Sequence, residues 1–215
     1  IEGLLPRVDK GVKVMSRQEI ARLGTGSMGA AMARNLGQAG MHATVENRTI
    51  SKAQPIAAFV ANVAKTAAKA VAGTDIVISM LSDGPTGVLV QSDPEFRAAL
   101  RGGAIWVEMG SIKPEEARAA ALSLEELGVH YVDAPVSGGT KGAEEASLAI
   151  MAGGAAEEFA TVTAALSAMG RPVHVGPGGA GQLAKLANQA IGGITIAALA
   201  EAMCICRLFT FDAPV

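Results

Sequence analysis

A chain of 215 residues, half of them apolar and 18% charged, with a formal net charge of −2, can bury a sizeable core and is too apolar for a disordered segment. No basic stripe marks a nucleic-acid binder, and no apolar run approaches the roughly 20 residues of a membrane span, 191–200 being short and interrupted by glycine. With 26 glycines and only 3% aromatic residues, the core is expected to be filled by Ala, Val, Ile, Leu and Met at close backbone approach.

Residues 1–14 lack the apolar stretch of a signal peptide and read as a leader or cloning remnant before Met15. Beyond it, short apolar runs alternate with alanine-rich helical stretches, the pattern of β-α-β units on a parallel sheet. A strand is predicted over 18–23, a helix over 27–38 stopped by Gly40, a strand over 42–45 and a helix capped by Ser51 running to 61. Apolar buried strands follow over 75–81 and 104–109. Pro114 opens a helix that carries Glu115 and Glu116 at the positive end of its dipole. Further strands are predicted over 131–133, 147–151 and 172–175, with a glycine-rich connection between the first two.

From Gly181 onward the period is helical and apolar almost all round, through Leu183, Leu186, Ile191, Ile194 and Leu199. The glycine-rich stretch at 176–181 is therefore the natural boundary between a sheet domain over 15–176 and the start of a helical domain over 177–215. One helix cannot hide its own apolar surface, so either a second subunit covers it or a helical domain is cut short; a homo-oligomer is expected. Cys204 and Cys206, two apart on that helix, cannot bridge comfortably and read as buried thiols in a reducing, cytoplasmic setting. His42, His130 and His174 are scattered singly and read as structural, and no metal site is expected.

Gly24-Thr25-Gly26-Ser27-Met28-Gly29 sits between a predicted strand and a predicted helix, the context in which GxGxxG carries meaning. The first glycine makes the tight turn, the second lets backbone N–H groups reach a pyrophosphate, and the third lets the helix pack close to the strand. The fold class is thus α/β, a Rossmann-type doubly wound and mostly parallel sheet, followed by the first long helix of an all-α domain. At the end of the second strand, Glu46 favours the free 2′-hydroxyl of NAD, whereas Asn47, Arg48 and Thr49 favour the 2′-phosphate of NADP. NADP is the expected cofactor, with NAD as the alternative. On spacing alone, Lys185 reads as a surface residue snorkelling from an apolar helix, and Ser137-Gly138-Gly139 as a hairpin turn.

Six segments in order, from about Met15 to Glu201, resemble the β-hydroxyacid dehydrogenase family. They are the loop with Met28, Asn47-Arg48-Thr49, Met80-Leu81, Glu108-Met109-Gly110-Ser111, Asp133-Ala134-Pro135-Val136-Ser137-Gly138-Gly139 and Gly181-Gln182-Leu183-Ala184-Lys185-Leu186-Ala187-Asn188. The resemblance implies hydride transfer between NADP(H) and a small β-hydroxyacid or its semialdehyde. It places Lys185 as the general acid and base, best served if partial burial lowers its pKa. It places Asn188, three residues further on the same helical face, as the group that bonds the substrate or orients Lys185. By the same resemblance Ser137, Gly138 and Gly139 hold the substrate carboxylate in an anion nest, Ser111 lies near the nicotinamide, and Met80 and Leu81 line the cofactor.

Two positions depart from that pattern. Arg22 stands in the first strand where an apolar residue is expected, and its charge is expected to reach solvent or a partner. Glu46 replaces an apolar or aromatic residue. The resemblance also implies a helical domain that completes the substrate pocket and the dimer, so a chain cut short, or altered in frame near 204–211, is expected to bind cofactor more surely than it turns over. An imine reductase, which usually lacks the catalytic lysine, and a non-catalytic dinucleotide-binding module are the alternatives.

Overall fold

The structure, a computed structural model, describes residues 18–208, so the leader at 1–14 and the end of the 177–215 segment lie outside the described residues. Strand β1 (Glu19–Leu23) runs into the glycine loop, helix α1 (Ser27–Gln38) follows, and Gly40 at φ 76° ends it before β2 (His42–Glu46). The chain continues through β3 (Asn62–Val63), α2 (Ala67–Val71), β4 (Ile76–Ser79), α3 (Gly84–Ser92), α4 (Pro94–Ala99), β5 (Ile105–Glu108) and α5 (Pro114–Glu125). It ends in β6 (His130–Asp133), β7 (Val136–Ser137), α6 (Gly139–Glu144), β8 (Leu148–Gly153), α7 (Ala156–Ser167), β9 (Gly170–Gly176) and α8 (Ala180–Leu208).

The strands form one sheet in the order β3-β2-β1-β4-β5-β6-β8-β7, with β9 paired to β8. The pairs from β3 to β6 are all parallel, and β8 joins β6 and β7 antiparallel. Strand order reverses between β1 and β4, which opens a crevice at their carboxyl ends where ligands bind in doubly wound sheets.

Alternation along the central strands explains the two apolar layers. Ile20, Ile76, Ile78, Ile105, Val107 and Val132 face a core with Met32 and Leu36 of α1, whereas Ala21, Leu23, Val77, Trp106 and Tyr131 face one with Phe96 of α4 and Leu124 of α5. Trp106 and Phe96 meet edge to face at 6.0 Å.

The helix expected over 51–61 does not form. Ile50–Lys52 and Gln54–Ile56 are two short 3-10 turns instead, and Ser51 caps neither. Pro55 removes an N–H that a continuous helix needs, and Phe59 carbonyl is held so tightly against α1 that a Cβ on Gly37 would collide with it. The connection after Asp133, expected as a plain loop, holds β7 and α6. Helices α2, α3, α4 and α7 are further elements that periodicity alone misses; α3 and α4 begin on Asp83 and Asp93, whose carboxylates accept from Thr86 N at 2.8 Å and Phe96 N at 2.9 Å ahead of Pro85 and Pro94.

Helix α8 departs from the sequence reading in two ways. It runs 29 residues without a break through Gly192 and Gly193, and by length and composition alone it is long and apolar enough to cross a membrane. The thiols of Cys204 and Cys206 are exposed rather than buried, as are Leu186, Ile191, Ile194 and Ile196, because every residue of α8 from Leu186 to Leu208 is exposed among the described residues.

Candidate functional site

A cleft of about 500 Å³ opens at the carboxyl ends of β1, β2 and β4. Gly24, Gly26, Ser27, Met28 and Gly29 form its floor, Asn47, Arg48 and Thr49 one rim, and Met80 and Leu81 the other. The loop fits a dinucleotide on three counts. No side chain caps α1 and its first turn carries no acidic residue, so the first-turn N–H groups remain free for an anion. A Cβ on Gly26 would meet only open space, the space a phosphate would fill, whereas a Cβ on Gly29 would collide with the Gly24 carbonyl. Gly24 itself sits at φ 84°, in the left-handed region.

Two expected contact residues turn out to build the loop. Thr25 is almost fully buried and does not line the cleft, while its N–H donates to Asn47 Oδ1 at 2.9 Å. Asn47 Nδ2 donates in turn to Thr49 carbonyl at 3.0 Å, so both ends of its amide are engaged. Lys52, four residues beyond Arg48, and Ser82 and Thr86 also line this cleft and went unmarked in the sequence. Glu46 lines it too, and partial burial raises its carboxyl above the ordinary range.

A second cleft of about 670 Å³ adjoins the first where Ser82 gives way to Asp83, and it holds Ser111, Gln182, Lys185 and Gln189. Lys185 Nζ donates to Gln189 Oε1 at 3.0 Å, and partial burial lowers its pKa. Asn188 Nδ2 donates to Ser137 Oγ at 3.3 Å, which joins α8 to β7, although neither residue lines this second cleft. Ser111, which the resemblance sets near the nicotinamide, lines the second cleft beside Lys185. Gly138 and Gly139 follow Ser137 at φ 135° and 63°, so both need glycine.

What places Lys185 is a pair of buried polar residues in the recognised motifs to which the sequence assigned no role. Asp133, fully buried at the end of β6, accepts from Gly179 N through Oδ1 and from Gln182 N through Oδ2, both at 2.7 Å. Gln182 then donates from Nε2 to Gly110 carbonyl at 2.8 Å and accepts at Oε1 from Ile112 N at 3.2 Å. The first turn of α8 is thereby bolted across β6 and the loop after β5, one turn before Lys185.

Beneath the clefts lies a buried charge that corrects the expectation for Arg22. Its side chain is 0% exposed, and the guanidinium stays inside, with Nη1 donating to Leu23 carbonyl at 2.6 Å. Glu108, at the end of β5, is buried as well and accepts from Ser79 Oγ at 2.8 Å and Gly110 N at 2.9 Å. Burial pushes the Glu108 carboxyl up to about 7, with these donors and Arg22 opposing.

A pH dependence follows. The folded chain holds the Glu108 proton more tightly than the unfolded chain, whose value is 4.5, so the stability contributed is fully present below 4.5 and lost as pH rises to about 7. The loss expected is about 3 kcal/mol, read as a fall in the urea midpoint between pH 5 and pH 7.5. Glu108→Gln should flatten that slope; an unchanged slope would mean that other groups carry it.

Comparison with known proteins follows the same outline. The family profile described as the NAD binding domain of 6-phosphogluconate dehydrogenase matches residues 19–177. An NAD-dependent L-serine dehydrogenase of Pseudomonas aeruginosa is 39% identical over 191 residues, which cover 87% of this chain and 64% of that protein. The chain thus spans a little under two thirds of that relative's length. A solved 3-hydroxyisobutyrate dehydrogenase of Mycobacterium tuberculosis with L-serine superposes at TM-score 0.86 and 35% identity, over 91% of this chain and 67% of that one. An imine reductase variant of Myxococcus stipitatus in complex with NAD+ superposes at TM-score 0.83 and 25% identity, over 90% of this chain and 66% of that one.

Proposed function

The chain belongs to the family of the NAD binding domain of 6-phosphogluconate dehydrogenase, and on that premise we propose that it transfers a hydride between NADP(H) and a small β-hydroxyacid or its semialdehyde. The observation that carries this reading is Lys185, partly buried with Ser111 in a cleft that adjoins the glycine loop.

Bound dinucleotide supplies the hydride in reduction and accepts it in oxidation. Reduction of an aldehyde leaves an alkoxide, and Lys185 gives the proton to that oxygen; in oxidation the neutral amine takes the hydroxyl proton back. A pKa lowered by burial makes both exchanges easier near neutral pH. Ser137 hydroxyl and the N–H groups of Gly138 and Gly139 hold the substrate carboxylate, with Asn188 fixing the hydroxyl of Ser137.

Preference for NADP over NAD rests on Arg48 and Lys52, two cations at the rim where the adenine ribose would lie. Arg48→Ala is expected to weaken NADPH binding about tenfold or more, since a charged hydrogen bond to phosphate is lost, with NADH affinity changed less than twofold. Equal losses for the two cofactors in a fluorescence titration would make Glu46 and NAD the better reading.

The test of the reaction is a rate assay with NADPH and NADH against glyoxylate and succinic semialdehyde, and in reverse against 3-hydroxyisobutyrate. Steady turnover supports the dehydrogenase; cofactor binding without turnover would leave a dinucleotide-binding module. The likeness to an imine reductase favours a second reading, in which an imine replaces the carbonyl. It predicts that imine reduction exceeds aldehyde reduction and survives loss of Lys185.

The domain division at 176–177 and a homo-oligomer belong to the same proposal, supported by the exposed apolar length of α8. So do a protein rather than a membrane surface for α8, supported by the bolting of its first turn to the sheet, and a partner that is a small molecule rather than a nucleic acid, supported by the net charge of −2. A cytoplasmic location is supported by two exposed free thiols, which persist in reducing compartments.

A further inference from the structure

We propose that Arg22 is a buried electrostatic partner of the diphosphate, acting from beneath the glycine loop on a nucleoside diphosphate held above it. This rests on the reading of the first cleft as a dinucleotide site and adds a residue that does not line it.

Arg22 lies on β1, two residues before Gly24, on the face of the sheet that α1 covers. Its Nη2 would stand 3.0 Å from a Cβ placed on Gly29 and lies 3.6 Å from Met32 Sδ, so the guanidinium is seated against the first turns of α1. Its compensation is poor. Nη1 bonds the Leu23 carbonyl and reaches that of Ile78 at 3.4 Å, Nε is buried without a partner, and no ion pair reaches Arg22 among the described residues. Glu108 acts on it only through space, and although burial lowers the guanidinium to about 10, it remains charged at neutral pH.

A buried cation is costly without a counter-charge, and this one is placed where α1 already presents the positive end of its dipole with no acidic residue to offset it. Both positive sources lie against the first turns of α1, at the loop whose Gly26 faces open space. A diphosphate over the loop feels both, and the field of Arg22 reaches it through protein, where a charge is screened less than in water. Adenosine, which carries no phosphate, gains nothing from the arrangement.

The experiment compares ADP with adenosine by calorimetric titration of the whole chain and three variants. Arg22→Met keeps the bulk, Arg22→Gln keeps hydrogen-bonding capacity, and Arg22→Lys keeps the charge. Loss of about tenfold in ADP affinity is expected for Met and Gln, with adenosine affinity unchanged and Lys within about threefold of the parent. ADP affinity within twofold of the parent in Met or Gln, or an equal loss in all three, would overturn the proposal, because bulk or packing would then suffice. Should Arg22→Met fail to fold beside an uncompensated Glu108, R22M/E108Q removes both buried charges and carries the same expectation. If the parent chain itself binds no ADP, the dinucleotide reading falls; if the parent binds and the neutral variants bind equally, only the role of Arg22 falls.

Discussion

Lys185→Ala is expected to lower turnover by about 10²- to 10⁴-fold, the range that a positioned general acid contributes, while NADPH affinity stays within twofold. The separation of the two effects comes from geometry, because Lys185 lines the second cleft and not the one floored by the glycine loop. Lys185→Arg should not rescue the rate, since guanidinium keeps its proton throughout the accessible pH range. The sign of the pH profile is a further check. Reduction needs the protonated amine, so its rate should fall as pH rises through the lowered pKa of Lys185, and oxidation should rise over the same interval. Unchanged turnover in Lys185→Ala would end the dehydrogenase reading built on Lys185 and leave the imine reductase, which works without that lysine.

Asp133→Ala is expected to destabilise the chain by about 4 kcal/mol, because two buried N–H groups, those of Gly179 and Gln182, lose their acceptor at about 1–3 kcal/mol each. For a chain of this size the melting temperature should drop by roughly 10 °C. Asp133→Asn should not restore it, since one of its amide ends would present a donor to a donor. The substitution also frees the first turn of α8, so surviving protein should show a raised KM for substrate with a smaller effect on cofactor binding. A melting temperature within a degree or two of the parent would show that α8 is held by Gln182 without Asp133.

Much of the architecture was legible because it is decided within a few residues. The strand, glycine loop and helix from Glu19 to Gln38, the stop at Gly40 and the helix opened by Pro114 each depend on contacts spanning one or two turns. The helix expected from Ser51 failed for a reason partly local, Pro55, and partly distant, the seat of Phe59 on Gly37. Site residues divide the same way. Arg48, Met28 and Lys185 stand out by motif, whereas Thr25 and Asn47 look like ligand contacts until the fold shows them bonded to one another.

By itself, then, the sequence determined the α/β alternation, the glycine loop with its helix and the family, since local periodicity and short motifs depend on neighbours along the chain. Only the tertiary structure decided the order of the strands and which side chains share a cleft. It also decided that Arg22 stays buried and that Asp133 and Gln182 fasten α8. Those bonds join residues 49 and 72 positions apart, and their partners are chosen by the folding of the sheet rather than by sequence spacing. A buried polar group must find whatever donor or acceptor the fold brings to it, so its role can be read only once its neighbours are in place.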